Sequence, residues 1–101
     1  MKFKDKTVVV TGSRRGIGLG IALEFAKLGA NVVLNGTREI DAETLAQFDA
    51  YPGEVMTFVG DVSKFDVAEN FINEVKEHFG RIDVLVNNAG ITRDGLLMRM
   101  S

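Results

Sequence analysis

Three glycines and two arginines crowd into the eight residues Thr11-Gly12-Ser13-Arg14-Arg15-Gly16-Ile17-Gly18. The chemistry such a stretch offers is that of its backbone. N–H groups at the start of a helix lack intrahelical partners, and the helix dipole adds partial positive charge, so the turn is suited to an anion. Gly12 lets the chain reverse tightly. Gly16 lets a diphosphate approach the main chain, and Gly18 lets the helix pack close to the preceding strand. Arg15 stands beside the second glycine and can reach a further phosphate on the same ligand. Arg14 reads as a solvated surface charge whose backbone still contributes to the loop.

This chemistry needs a strand before the turn and a helix after it. Thr7-Val8-Val9-Val10 is a β-branched run with the character of a buried strand. Ile17, Ile21, Phe25 and Leu28 follow at helical spacing, giving an expected apolar face, and Gly29 sits where a left-handed cap belongs. A second strand is expected over 31–35 and a helix over about 39–49, with Ile40, Ala42, Leu45, Ala46 and Phe48 facing inward. Pro52-Gly53 breaks the chain, and a third strand covers 55–59. Ser63 and Asp66 read as a capping box. Val67, Phe71, Val75 and Phe79, with Ile72 alongside, predict a helix that stops at Gly80, and a fourth strand is expected over 82–86. Residues 91–101 read as a loop and the first residues of another helix.

Alternating strands and helices imply a parallel sheet with right-handed crossovers, in the order 3-2-1-4 with helices on both faces. Ligands of such sheets bind at the carboxyl ends of the strands, where the order reverses. The small and polar residues of four loops converge on that edge. A dinucleotide with only ribose hydroxyls is ordinarily met by Asp or Glu at the end of the second strand. Here that position reads Asn35-Gly36-Thr37-Arg38, with no carboxylate before Glu39. A guanidinium pairs with a 2′-phosphate that a carboxylate would repel, so Arg15 and Arg38 point to NADP rather than NAD. Asp61 has two open readings: an acceptor for the adenine amino group with the backbone of Val62 beside it, or an acid favoured by the helix start. Asn88-Ala89-Gly90 is small enough to let a ribose approach the fourth strand. Asn87 reads as a structural tie between strand ends, His78 as surface packing, and Met98 and Met100 as core or interface filler.

Composition bounds these readings. A chain of 101 residues with 46% hydrophobic and 26% charged residues suits one small domain with one core. A net charge of −2 argues against a broad surface for nucleic acid or anionic membrane. There is no cysteine, hence no disulfide framework and no cysteine nucleophile. No metal-ligand set is read. The stretch from Met1 to Lys6 is too charged for a secretory signal, and no apolar run approaches the roughly 20 residues of a membrane span.

The glycine spacing, Asp61-Val62 and Asn87-Asn88-Ala89-Gly90 together resemble the short-chain dehydrogenase/reductase family. Ile91-Thr92-Arg93-Asp94-Gly95-Leu96-Leu97-Met98-Arg99-Met100 narrows the resemblance to its 3-oxoacyl-[acyl-carrier-protein] reductases. The resemblance implies a partial Rossmann fold and cytoplasmic, oligomeric, NADPH-dependent reduction of a 3-oxoacyl thioester on acyl carrier protein. It carries cofactor contact to Gly12, Ser13, Arg14, Arg15, Ile17, Thr37, Asp61, Val62, Asn88, Ala89 and Gly90. The family's chemistry uses a Ser and a Tyr-x-x-x-Lys pair. The one tyrosine here is Tyr51, and the residue four positions on is Val55. Residues 1–101 are therefore expected to be the cofactor-binding first part of a reductase, without a proton donor and inactive alone. Self-association through the edge of the fourth strand or an exposed sheet face is expected. The alternative is an assembly module with residual nucleotide binding; a flavodoxin-like mononucleotide domain is weaker, given the two arginines and the Asn-Asn-Ala-Gly loop.

Overall fold

The computed structural model describes residues 2–88. Ala89, Gly90 and the stretch from Ile91 to Ser101, with Met98 and Met100, lie outside the described residues. The chain runs β1 (Thr7–Val10), α1 (Gly16–Lys27), β2 (Asn31–Gly36), α2 (Ala42–Ala46), β3 (Val55–Val59), α3 (Phe65–Phe79) and β4 (Val84–Val86). All four strands are parallel in the order β3-β2-β1-β4. This is the partial Rossmann arrangement expected from the alternating pattern.

Alternation along the strands divides the core. Val8, Val10, Val32 and Leu34 point to one face, where Ala22, Ala26, Ile40 and Phe48 cover them. Val9 and Val33 point to the other, beneath Ala68, Phe71, Ile72 and Val75 of α3. Phe71 stacks on Phe58 with ring centroids 4.4 Å apart. The expected face of α3 is thus the buried one, and Gly80 ends the helix at φ 80°.

Ile21 and Phe25 pack half-buried against the core as expected, but they are not the most buried residues of α1. Its buried residues are Gly18, Ala22 and Ala26, while Ile17 is 78% exposed and Leu28 is 38% exposed. Small residues at four-residue spacing let this helix lie close to the strands, and the bulkier stripe flanks them, half-buried at Ile21 and Phe25 and exposed at Ile17 and Leu28. Phe25 also meets Phe3, edge-on, with centroids 5.3 Å apart. Gly29 takes the left-handed conformation expected of it, at φ 93°.

Three boundaries also differ. The second helix is shorter than 39–49, because Ile40 reaches the core from outside it and the chain at Phe48 to Asp49 runs as turns. The fourth strand begins at Val84, not Ile82. Ser63 and Asp66 form no capping box: Lys64 is the N-cap of α3 without a side-chain bond, and the Ser63 hydroxyl turns back to donate to Asp61.

The sheet corner below β4 is closed by Asp83. Its backbone N–H donates to the Thr7 carbonyl at 2.9 Å, and its Oδ2 accepts the Thr7 N–H at 2.8 Å. Oδ1 accepts from Arg81 Nη2 at 2.6 Å and Nε at 3.0 Å. Burial alone would raise the Asp83 pKa; the Arg81 and Thr7 hydrogen bonds, with the Arg81 and Lys6 charges, outweigh it and hold it below the usual value. The stability this ionised form adds is therefore complete above the ordinary carboxylate range and is lost as pH falls through the depressed value. Asp83→Asn should cost about 1 kcal/mol in urea melts at neutral pH. The difference between variant and parent should shrink as the pH is lowered below about 4.

Candidate functional site

β1 leads directly into the glycine-rich turn at the carboxyl edge of the sheet. The Thr11 N–H donates to Val86 at 3.0 Å, so the turn leaves from between its two neighbouring strands. Gly12 has φ 60° and Gly16 has φ 65°, both left-handed and both natural to glycine. At Gly18 the requirement is space: a Cβ there would lie 2.3 Å from the Gly12 carbonyl oxygen and 2.6 Å from Asn88 Nδ2. That same Asn88 amide donates to the Gly12 oxygen at 3.0 Å. Arg15, the residue before α1, is extended and offers no side-chain cap, and the first turn holds no acid. The start of α1 therefore keeps its positive dipole end uncompensated by side chains.

The turn opens onto a crevice of ≈ 730 Å³. Gly12, Arg14 and Arg15 line it from the first loop, Thr37 and Arg38 from the second, Asp61 and Val62 from the third. Gly16, Ile17, Gly18 and Asn88 do not line it. Gly18 and Asn88 buttress Gly12 from behind. Ser13 is fully buried, its hydroxyl donating to the Val10 carbonyl at 2.7 Å and its N–H to the Asn35 carbonyl at 2.7 Å.

Arg14 differs from its reading as a solvated charge. Its Nε donates to the Glu39 carbonyl at 3.1 Å, and its Nη2 lies 3.7 Å from Asp41. Its aliphatic stem covers Gly36, where a Cβ would come within 3.0 Å of it. Arg15 and Arg38 are exposed and engage no side-chain partner among the described residues. Asp61 accepts the Ser63 hydroxyl at 2.6 Å and the Ser63 N–H at 3.0 Å, both on Oδ1. These bonds, aided by Lys64, hold its carboxyl below the usual range. Val62 buries its side chain in the α3 face of the core, leaving its backbone at the crevice. Asn35, Gly36, Gly60 and Ser63 complete the lining. The role of the Asn35 side chain was not foreseen; its signal is a lone amide at the end of a strand otherwise apolar from Val32.

The family model described as short chain dehydrogenase matches residues 6–101. The chain belongs to that family. Among short chain dehydrogenases it is 48% identical over 99 residues to the 3-oxoacyl-[acyl-carrier-protein] reductase of Chlamydia muridarum, covering 96% of this chain and 40% of that protein. It is 44% identical over 98 residues to the Staphylococcus epidermidis protein of the same name, covering 95% and 40%. The chain thus spans about two fifths of the length of these relatives. A metagenomic short-chain oxidoreductase solved in complex with NADP superposes with TM-score 0.78 at 39% identity, covering 90% of this chain and 42% of that one. The Brucella melitensis 3-oxoacyl-[acyl-carrier protein] reductase, solved with NAD, gives TM-score 0.77 at 36% identity, covering 84% and 33%. Among the described residues no helix is long and apolar enough to cross a membrane.

Proposed function

We propose that residues 1–101 are the NADP(H)-binding part of a 3-oxoacyl-[acyl-carrier-protein] reductase. The observation that carries the reading is the pair Arg15 and Arg38. Both line one crevice, both are free of side-chain partners among the described residues, and no carboxylate ends β2. The fit extends to the rest of the group. An uncapped helix start behind left-handed Gly12 and Gly16 suits a diphosphate. Arg15, Thr37 and Arg38 would hold the 2′-phosphate, Asp61 and the Val62 backbone the adenine, and Asn88, Ala89 and Gly90 the ribose next to the nicotinamide. Gly16, Gly18 and Ser13 would shape the loop, and Ile17 would meet the ligand by its backbone. Arg14 would brace the second loop through Glu39.

For the whole protein the proposal extends to a cytoplasmic homo-oligomer that reduces 3-oxoacyl thioesters carried on acyl carrier protein. This rests on the relatives of that name. Bound NADPH would supply the hydride. No Tyr-x-x-x-Lys stands in these 101 residues to supply the proton, so the chain alone would bind and not reduce. Calorimetric titration with NADP⁺ and NAD⁺ tests the reading. NADP⁺ should bind about 100-fold more tightly, as expected of two charge-assisted pairs. Equal affinity, or a preference for NAD⁺, would refute it.

A further inference from the structure

Asn35 is 2% exposed, yet its side chain meets polar groups from two different loops. Its Oδ1 accepts the Gly12 N–H at 3.1 Å, and its Nδ2 donates to the Phe58 carbonyl at 3.0 Å and the Gly60 carbonyl at 3.2 Å. The amide orientation is fixed by these partners, one a donor and two acceptors. The backbone at Asn35 is tied to the same turn. Its N–H donates to Ser13 Oγ at 2.8 Å, and its carbonyl accepts the Ser13 N–H. β1 stops pairing with β2 at Val10 and Leu34, so the Ser13 hydroxyl replaces the acceptor that the departing strand removes.

Gly12 opens the loop that faces the diphosphate, and Gly60 directly precedes Asp61 and Val62. One buried amide thus spans both sides of the crevice. We propose that Asn35 is a positioning residue: it fixes the separation of the glycine-rich turn from the β3–α3 loop, and so presets the distance between the diphosphate and adenine subsites. The inference rests on the cofactor reading for its ligand, but its geometry is a property of the chain without cofactor. A threonine or leucine could fill the space and could not serve all three partners. An aspartate of the same shape could still accept from Gly12, but it can donate to a carbonyl only while protonated.

The test is Asn35→Asp, with the unchanged chain measured beside it at each pH so that the ligand's own titration cancels. The affinity ratio for NADP⁺ should fall by about 10-fold or more between about pH 5.5 and pH 9, as the replacing carboxyl ionises against two carbonyl oxygens. In the free protein, the protection factor of the Gly60 amide, which donates to Gly36 at 2.9 Å, should fall relative to the unchanged chain over the same range while that of the Val9 amide does not. A merely structural Asn35 would loosen Gly60 and Val9 together, and that result, or a ratio flat with pH, overturns the proposal. If the unchanged chain binds no NADP⁺, the cofactor reading fails and the exchange measurement still decides on Asn35. If the variant does not fold, the side-chain amide protons of Asn35 are followed in the unchanged chain. They should be protected from exchange, and exchange at the rate of a solvated amide overturns the proposal.

Discussion

Gly18→Ala should lower the stability of the chain by about 3 kcal/mol, the upper part of the range for overpacked sites. The new Cβ would fall 2.3 Å from the Gly12 carbonyl oxygen, which is backbone and cannot rotate away. Either α1 lifts from the sheet, exposing the Ala22 and Ala26 contacts, or the Gly12 turn is displaced. Both routes break the Asn88–Gly12 hydrogen bond, worth about 1 kcal/mol. For a domain of this size the melting midpoint should drop by roughly 10–20 °C. Gly20→Ala, two positions along the same helix, meets nothing within 4 Å. It should stabilise by about 0.5–1 kcal/mol through helix propensity alone. Thermal melts of the two variants therefore move in opposite directions. Equal melting points would mean that helix and turn do not touch as described.

The double change Arg15→Ala with Arg38→Ala should weaken NADP⁺ binding by about 100-fold or more. Each lost charge-assisted contact removes about 1.5 kcal/mol, at the lower end of the range because both side chains are exposed. NAD⁺ has no 2′-phosphate, so its affinity should change by no more than about 3-fold, and the chain should lose its discrimination between the two. The unchanged chain should also show a steeper loss of NADP⁺ affinity with added salt than the double variant. Calorimetry with both dinucleotides at two salt concentrations reads all of this. Parallel losses for NADP⁺ and NAD⁺ would move the arginines from the 2′-phosphate to the shared diphosphate.

The sheet was legible because β1 and the middle of β2 are buried on both faces and so read as continuous apolar runs, Val8 to Val10 and Val32 to Leu34, while α3 has a bulky apolar stripe. The face of α1 was only partly legible by the same rule, which found Ile21 and Phe25 but missed the closest residues. Hydropathy marks Ile17, Ile21, Phe25 and Leu28, but closeness to a sheet is set by volume, and Gly18, Ala22 and Ala26 are the residues that permit it. At the site, the turn and the placement of Arg15 and Arg38 at one crevice could be read from spacing, since the glycines and strand ends fix where those loops meet. Arg14 could not, because its partners are a carbonyl and a carboxylate 25 and 27 positions away, brought near only by folding. Asn35 escaped for a related reason. Its amide serves groups whose approach depends on the order β3-β2-β1, and strand order is not written in the residue itself.

The alternation along β1 reaches beyond packing. Val8 and Val10 belong to one face and Val9 to the other, while the Val10 carbonyl holds the buried Ser13 hydroxyl within the turn. Inserting or deleting one residue between Thr7 and Val10 would reverse the parity of the strand on one side of the change, sending the valines there to the wrong face or the turn out of register with the sheet edge. The length of this short segment is thus constrained as tightly as the glycines that follow it.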